Sequence, residues 1–199
     1  MKVLHFSTSH FGITINLANK MAEHSKVFLI LPSNLVEEFH YRLLSKKVTF
    51  LPVNLPRQSN IFASLITVFK ILQIVKKINP AIFHVQGFGQ AWLPFIFPFI
   101  NSKIVSTVHD PIPHEGDKMS KGDKLTAFLG YPFSDYFLVH GHKLKLQVTD
   151  IHKISPNRIS VVPLSAYLGK KSNLHPNDSK TDSILFFGRI WKYKGLKYL

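Results

Sequence analysis

The chain has 199 residues, no cysteine, and 25 Lys and Arg against 11 Asp and Glu, a formal charge of +14. With 45% hydrophobic residues it can build a sizeable core, and its length suits one full domain better than two. The composition excludes a disulfide framework and a thiolate zinc site, suits a reducing compartment, and creates a diffuse lysine-rich field that attracts nucleic acid, anionic lipid or phosphorylated ligands.

The first residues, Met1 to Ser7, are too short in apolar length for a signal peptide. The pattern predicts a strand at 2–6, a loop at 8–12 and a helix at 13–24. A strand at 26–31 ends at Pro32, and Asn34 is placed to cap a helix at 35–44. A strand follows at 48–53. Ser59 or Asn60 caps a long helix that runs to Ile78 and ends before Pro80. Then come a strand at 81–85, a short helix at 89–99 interrupted by Pro94 and Pro98, and a strand at 103–108. After a polar loop at 111–123 the pattern predicts a helix at 125–133, a strand at 136–139, a helix at 142–151 and a strand at 159–163.

Runs such as Val27-Phe28-Leu29-Ile30-Leu31 are apolar without alternation, as in strands buried on both faces. Repeated alternation of strand and helix therefore predicts an α/β fold with a doubly wound, mostly parallel, Rossmann-like sheet. The windows 61–78 and 91–100 are the most apolar, but the first is broken by polar residues and the second is too short, so no membrane-spanning helix is expected. The 61–78 helix has a polar stripe at Asn60, Ser64, Thr67, Lys70, Gln73 and Lys77. With the rest of its circumference apolar, it is either deeply buried or touches lipid with part of its face.

In such sheets ligands bind beyond the carboxyl ends of the strands, which directs attention to the loops at 7–12, 86–89, 109–121 and 140–143. Histidines recur there: His84, His109 and His140 at strand ends, His10 and His114 in loops. Imidazole both donates to and accepts from hydroxyls, so several at one sheet edge suit a hydroxyl-rich ligand. No short His spacing with a carboxylate partner suggests a metal site. The segment from His109-Asp110 through His114 to Asp117 is stiffened by prolines and suits acceptor recognition, or is a solvated connection. Gly12 lets backbone approach a ligand closely, although the loop lacks the glycines of a dinucleotide fingerprint. Few carboxylates argue against a two-carboxylate hydrolase.

Residues 169–182 are polar and poor in apolar side chains, and read as a linker between a first domain, 1–168, and the start of a second, 183–199. There a buried strand at 184–187 runs into Gly188-Arg189. Lys194-Gly195 then opens a helix, so that Arg189 and Lys194 are placed to converge on a phosphate.

The segment Ile184-Leu185-Phe186-Phe187-Gly188-Arg189-Ile190 with Lys194-Gly195-Leu196, together with Thr107-Val108-His109-Asp110 and Asn157 to Pro163, resembles GT-B glycosyltransferases of the retaining family 4 type. The resemblance implies an N-terminal, acceptor-side domain followed by the first elements of a truncated nucleotide-sugar-binding domain. It implies that Arg189, Lys194 and Gly12 lie at the donor diphosphate and that His109 contacts the donor sugar as the catalytic residue. His10, Asp110 and His114 would meet the acceptor or sugar.

Also implied is transfer of a sugar from a nucleotide-diphosphate sugar to a hydroxyl, with no cofactor and no metal. The acceptor would be a saccharide or lipid-linked saccharide in bacterial-type surface polysaccharide or glycolipid synthesis. The location would be cytoplasmic or peripheral at an anionic inner membrane face, with no nucleic-acid partner. Family members carry a pair of donor-binding glutamates further along, so the 199 residues alone are expected to be inactive. A non-catalytic α/β binding or scaffold domain derived from such a half remains the alternative.

Overall fold

The computed structural model describes residues 1–57, 59–87, 89–112, 121–164 and 195–198, with backbone alone at 121–125. Its frame is a seven-stranded, all-parallel sheet among the described residues: β1 (Lys2–Ser7), β2 (Lys26–Pro32), β3 (Val48–Val53), β4 (Ile82–Gln86), β5 (Lys103–Val108), β6 (Tyr136–Val139) and β7 (Ile159–Val161). The spatial order is β3-β2-β1-β4-β5-β6-β7. The chain thus winds outward from β1 in one direction, then returns to β4 and winds in the other. This is the doubly wound arrangement the continuous apolar runs predict.

Helices α1 (Phe11–Met21), α2 (Glu38–Arg42), α3 (Ile61–Ile78), α4 (Lys121–Gly130) and α5 (His142–His152) connect the strands. Leu4, Phe6, Phe83, Val85 and Ile104 form one core with Ile71 and Val75 of α3 and with Leu93 and Ile96. Val27, Leu29 and Leu31 pack against Ile15 and Ala18 of α1 in a second. Phe137, Val139 and Ile159 meet Val148 of α5 in a third.

Several expected boundaries move. α1 begins at Phe11, which places Gly12 inside its first turn rather than in a loop. α2 is confined to 38–42 because Asn34 does not cap it. The Asn34 amide instead donates to the Leu55 carbonyl at 3.0 Å and accepts from the Leu55 N–H at 3.1 Å, tying the β2 exit to the β3 exit. The expected helix at 89–99 is a 3-10 segment, Leu93–Phe99, because Pro94 and Pro98 remove donors that an α-helix would use. The helix expected at 125–133 starts earlier, as α4, and gives way to a 3-10 turn at Tyr131–Phe133. The last strand is shorter than expected, ending at Val161. The expected linker, the expected strand at 184–187, and Arg189 and Lys194, expected to meet a phosphate, fall outside the described residues. Within 195–198, Gly195 at φ 71° precedes a 3-10 turn at Leu196–Tyr198.

Asn60 caps α3 as expected, its side chain accepting from the Ala63 N–H at 3.0 Å. The polar stripe, however, does not face outward as a whole. Ser64 and Thr67 are buried, and their hydroxyls donate to the helix's own carbonyls at Asn60 (2.8 Å) and Ala63 (2.9 Å). Only the second half of α3 buries apolar side chains, namely Ile71, Val75 and Ile78. Replacing Ile71 with alanine should therefore destabilise the fold by about 2–5 kcal/mol in urea unfolding. Phe62→Ala, on the exposed face of the same helix, should cost less than about 0.5 kcal/mol.

Candidate functional site

Where β1 and β4 lie side by side the strand order reverses, the point at which doubly wound sheets bind ligands. The loops that leave these two strands approach each other closely. A side chain at Gly89 would bring its Cβ to 2.5 Å from the Thr8 Oγ1, and one at Gly87, which has φ 84°, would reach 3.1 Å from the Ser9 Oγ. At Gly87 the left-handed backbone favours glycine, and at Gly89 a side chain would require the Thr8 hydroxyl to move.

The rim is fixed by hydrogen bonds around the start of α1. Thr14 donates from its N–H to the His10 carbonyl at 3.0 Å and from its hydroxyl to the Ser7 Oγ at 3.1 Å. Ser7 in turn donates to the Ser9 carbonyl. These bonds hold His10 in the left-handed region, at φ 55° and ψ 39°, as the residue preceding the helix. From there its ring stacks on His109, with centroids 4.1 Å apart and planes 18° from parallel. His109 stands at the end of β5, and His140, at the end of β6, is tilted against its other neighbourhood at 4.9 Å. Three strand ends thus contribute a row of imidazoles. The His140 Nδ1 bonds the Val162 carbonyl at 3.0 Å and so carries the hydrogen, because a carbonyl only accepts. Among the described residues, the buried Nε2 atoms of His109 and His140 have no hydrogen-bond partner.

Below this row runs a buried polar ladder. His5 on β1 is in register with His84 on β4, and Gln86 on β4 with Thr107 on β5. The Nδ1 atoms of His5 and His84 are 2.9 Å apart, and the His84 Nε2 is 2.7 Å from the Thr107 Oγ1. If His5 donates, His84 passes its own N–H to Thr107, and the partnerless His5 Nε2 is a bare lone pair. The reverse order would bury an N–H without an acceptor, which costs more.

Electrostatics keep these rings neutral. Burial pushes His84 down to about 4 and His5 well below its ordinary value, with repulsion from His84 adding to the latter. His109 is pushed down to about 3, first by burial and then by repulsion from His10, His140 and His84. His10 is lowered by burial, opposed by Asp110 and reinforced by His140. A neutral imidazole offers one donor and one acceptor, the pattern a sugar hydroxyl matches. Among the described residues no group of three or more His, Cys, Asp or Glu is arranged to hold a metal ion.

Of the residues expected at the site, His10, His109 and Asp110 come together at this edge, and Gly12 lies in the adjoining first turn of α1. His114, Arg189 and Lys194 lie outside the described residues. His140, noted from the sequence among the strand-end histidines but given no role there, belongs to the row. The unpartnered, buried Thr8 Oγ1 and Gln86 Oε1 were likewise not selected from the sequence. Gln86, directly before a glycine at a strand end, carried a usable signal.

The strand order and connections define a doubly wound, Rossmann-like α/β domain. Residues 13–165 match the model of Glycosyltransferase Family 4, and the chain belongs to that family. No curated protein matches it. Among solved structures it is similar to the UDP-GlcNAc 2-epimerase from Methanocaldococcus jannaschii (TM-score 0.63, 15% identity, covering 81% of this chain and 45% of that one). That enzyme is also solved in complex with UDP-GlcNAc and UDP. It is similar as well to a glycosyltransferase from Rickettsia africae (TM-score 0.58, 19% identity, 81% of this chain and 42% of that one). A third is the lipopolysaccharide outer core galactosyltransferase WaaB (TM-score 0.56, 14% identity, 82% of this chain and 45% of that one). At these identities the likeness is one of fold. The chain spans less than half the length of each.

The neutral rings make the protein acid-sensitive. Below pH 6.5 the unfolded chain takes up protons that native His84 refuses until about pH 4, so stability falls as pH falls through that window, by about 3 kcal/mol for this ring. Urea unfolding between pH 7 and pH 4.5 should show that decline, and His84→Gln should flatten it by up to about 1.4 kcal/mol per pH unit.

Proposed function

We propose that this chain is the acceptor-side part of a glycosyltransferase that moves a sugar from a nucleotide-diphosphate sugar to a hydroxyl acceptor. The observation that carries the reading is the row of histidines at the carboxyl edge of a Family 4 domain, in which burial holds the His109 ring neutral and leaves its Nε2 without a hydrogen-bond partner among the described residues. The UDP-sugar complex of a structurally similar protein supports a nucleotide sugar as the ligand class.

In the proposed reaction the acceptor hydroxyl oxygen bonds to the anomeric carbon while the bond from that carbon to the diphosphate breaks, with retention of configuration, and the hydroxyl proton passes to the departing diphosphate oxygen. Arg189 and Lys194 meet the charge growing on the departing diphosphate, in place of a metal ion, an electrostatic contribution of the kind that dominates many enzymes. Gly12 and the first turn of α1 offer backbone N–H groups to the same anion. His109 orients the donor sugar and polarises a hydroxyl as a neutral ring. His10, Asp110 and His114 face the acceptor, a saccharide or lipid-linked saccharide of surface polysaccharide or glycolipid synthesis. Closure of a second domain over this edge would exclude water.

Calorimetric titration of the chain with UDP and UDP-sugars tests the reading. Arg189→Ala with Lys194→Ala should weaken UDP binding about tenfold or more. His109→Ala should leave UDP affinity intact and remove the additional affinity conferred by the sugar. Unchanged UDP affinity in the double variant would overturn the assignment. Conversion of UDP-GlcNAc alone into its C2 epimer, followed by NMR, would replace transfer with epimerisation.

A further inference from the structure

The first half of α3 has its amphipathic pattern turned inside out. Ser64 and Thr67 face inward, whereas Ile61, Phe62, Leu65, Ile66 and Phe69 are exposed, Phe62 by 82% and Phe69 by 66%. A helix selected only for docking onto its own sheet would place these side chains the other way round. The apolar surface continues off the helix: Phe69 and Phe99 line one groove, together with Lys76 and Asn79, and Phe99 is 73% exposed. A contiguous exposed patch of this kind marks a partner.

Charge identifies the partner. Lys70, Lys76 and Lys77 are exposed along α3, and among the described residues no ion pair holds them. Residues 39–109 contain no Asp or Glu at all, while Lys and Arg recur through them. Large apolar side chains followed on the same helix by uncompensated lysines match a surface that offers hydrocarbon beneath phosphate. The topology adds a direction. Between two parallel strands, α3 runs back against them, so its apolar first half lies toward the carboxyl edge that carries the histidine row.

We propose that α3 and the adjoining Phe99 form a docking surface for an anionic phospholipid bilayer, with Phe62 and Phe69 entering the interface and Lys70, Lys76 and Lys77 meeting headgroup phosphates. Docking there turns the acceptor edge toward the lipid. The proposal deepens the transferase reading by placing its acceptor at a membrane, but the docking itself requires no nucleotide or sugar.

Flotation with phosphatidylcholine vesicles, alone or mixed with phosphatidylglycerol, tests it. The wild-type chain should float with the mixed vesicles and be released by high salt. Phe62→Ser with Phe69→Ser should lower partitioning about tenfold or more, and Lys76→Gln with Lys77→Gln should do the same on anionic vesicles only. These positions are exposed, and circular dichroism should show native helix in both variants. His109→Ala should float like wild type, and both surface variants should keep wild-type UDP affinity, which separates failure of docking from failure of the transferase reading. No preference of the wild type for anionic vesicles, or unchanged flotation of the phenylalanine variant, would overturn the proposal. So would a wild-type dimer by light scattering that becomes monomeric in the phenylalanine variant without any change in vesicle binding, which would assign the face to a second copy of the chain.

Discussion

Everything at the candidate site follows from one reversal: β1 and β4 are hydrogen-bonded neighbours in space but are separated by two strands in sequence. Connections between parallel strands are right-handed, so stepping outward from β1 in one direction and from β4 in the other sends the connecting elements to opposite faces. The loops leaving the two central strands therefore diverge at the carboxyl edge. The row of histidines forms along that edge because the loop after β1, the end of β5 and the end of β6 each supply one ring.

Two places accept local cost. The buried His5–His84–Thr107 ladder interrupts an otherwise apolar interior. It is tolerable because each proton finds an acceptor when both rings are neutral, and burial enforces that neutrality. The first half of α3 exposes large apolar side chains while hiding two hydroxyls. Local rules are broken most often where function is being served, and both exceptions lie toward the carboxyl edge or lead to it.

The frame was legible in the sequence because strands buried on both faces leave unbroken apolar runs, such as that at 27–31, which no exposed element would carry. His109 and His10 were legible from their positions at the end of a strand and just after one. Their stacking was not, because ninety-nine residues separate rings that only the sheet brings together. Asn34 misled because an amide can cap a helix or bridge two strand exits with the same atoms, and only the β2–β3 register decides between them. The orientation of α3 was equally hidden: Ser64 and Thr67 return their hydroxyls to the helix backbone, which makes buried polar residues indistinguishable by pattern from exposed ones.

The stacked imidazoles also set the character of the carboxyl edge. The molecule is strongly cationic as a whole, yet His10 and His109 are discouraged from taking protons, so the excess charge resides on peripheral lysines. In the transferase proposed above, long-range attraction of an anionic donor and close-range inspection of its neutral portion would fall to different parts of the surface. Raising ionic strength would slow arrival while leaving the stereochemical discrimination among bound hydroxyl patterns intact.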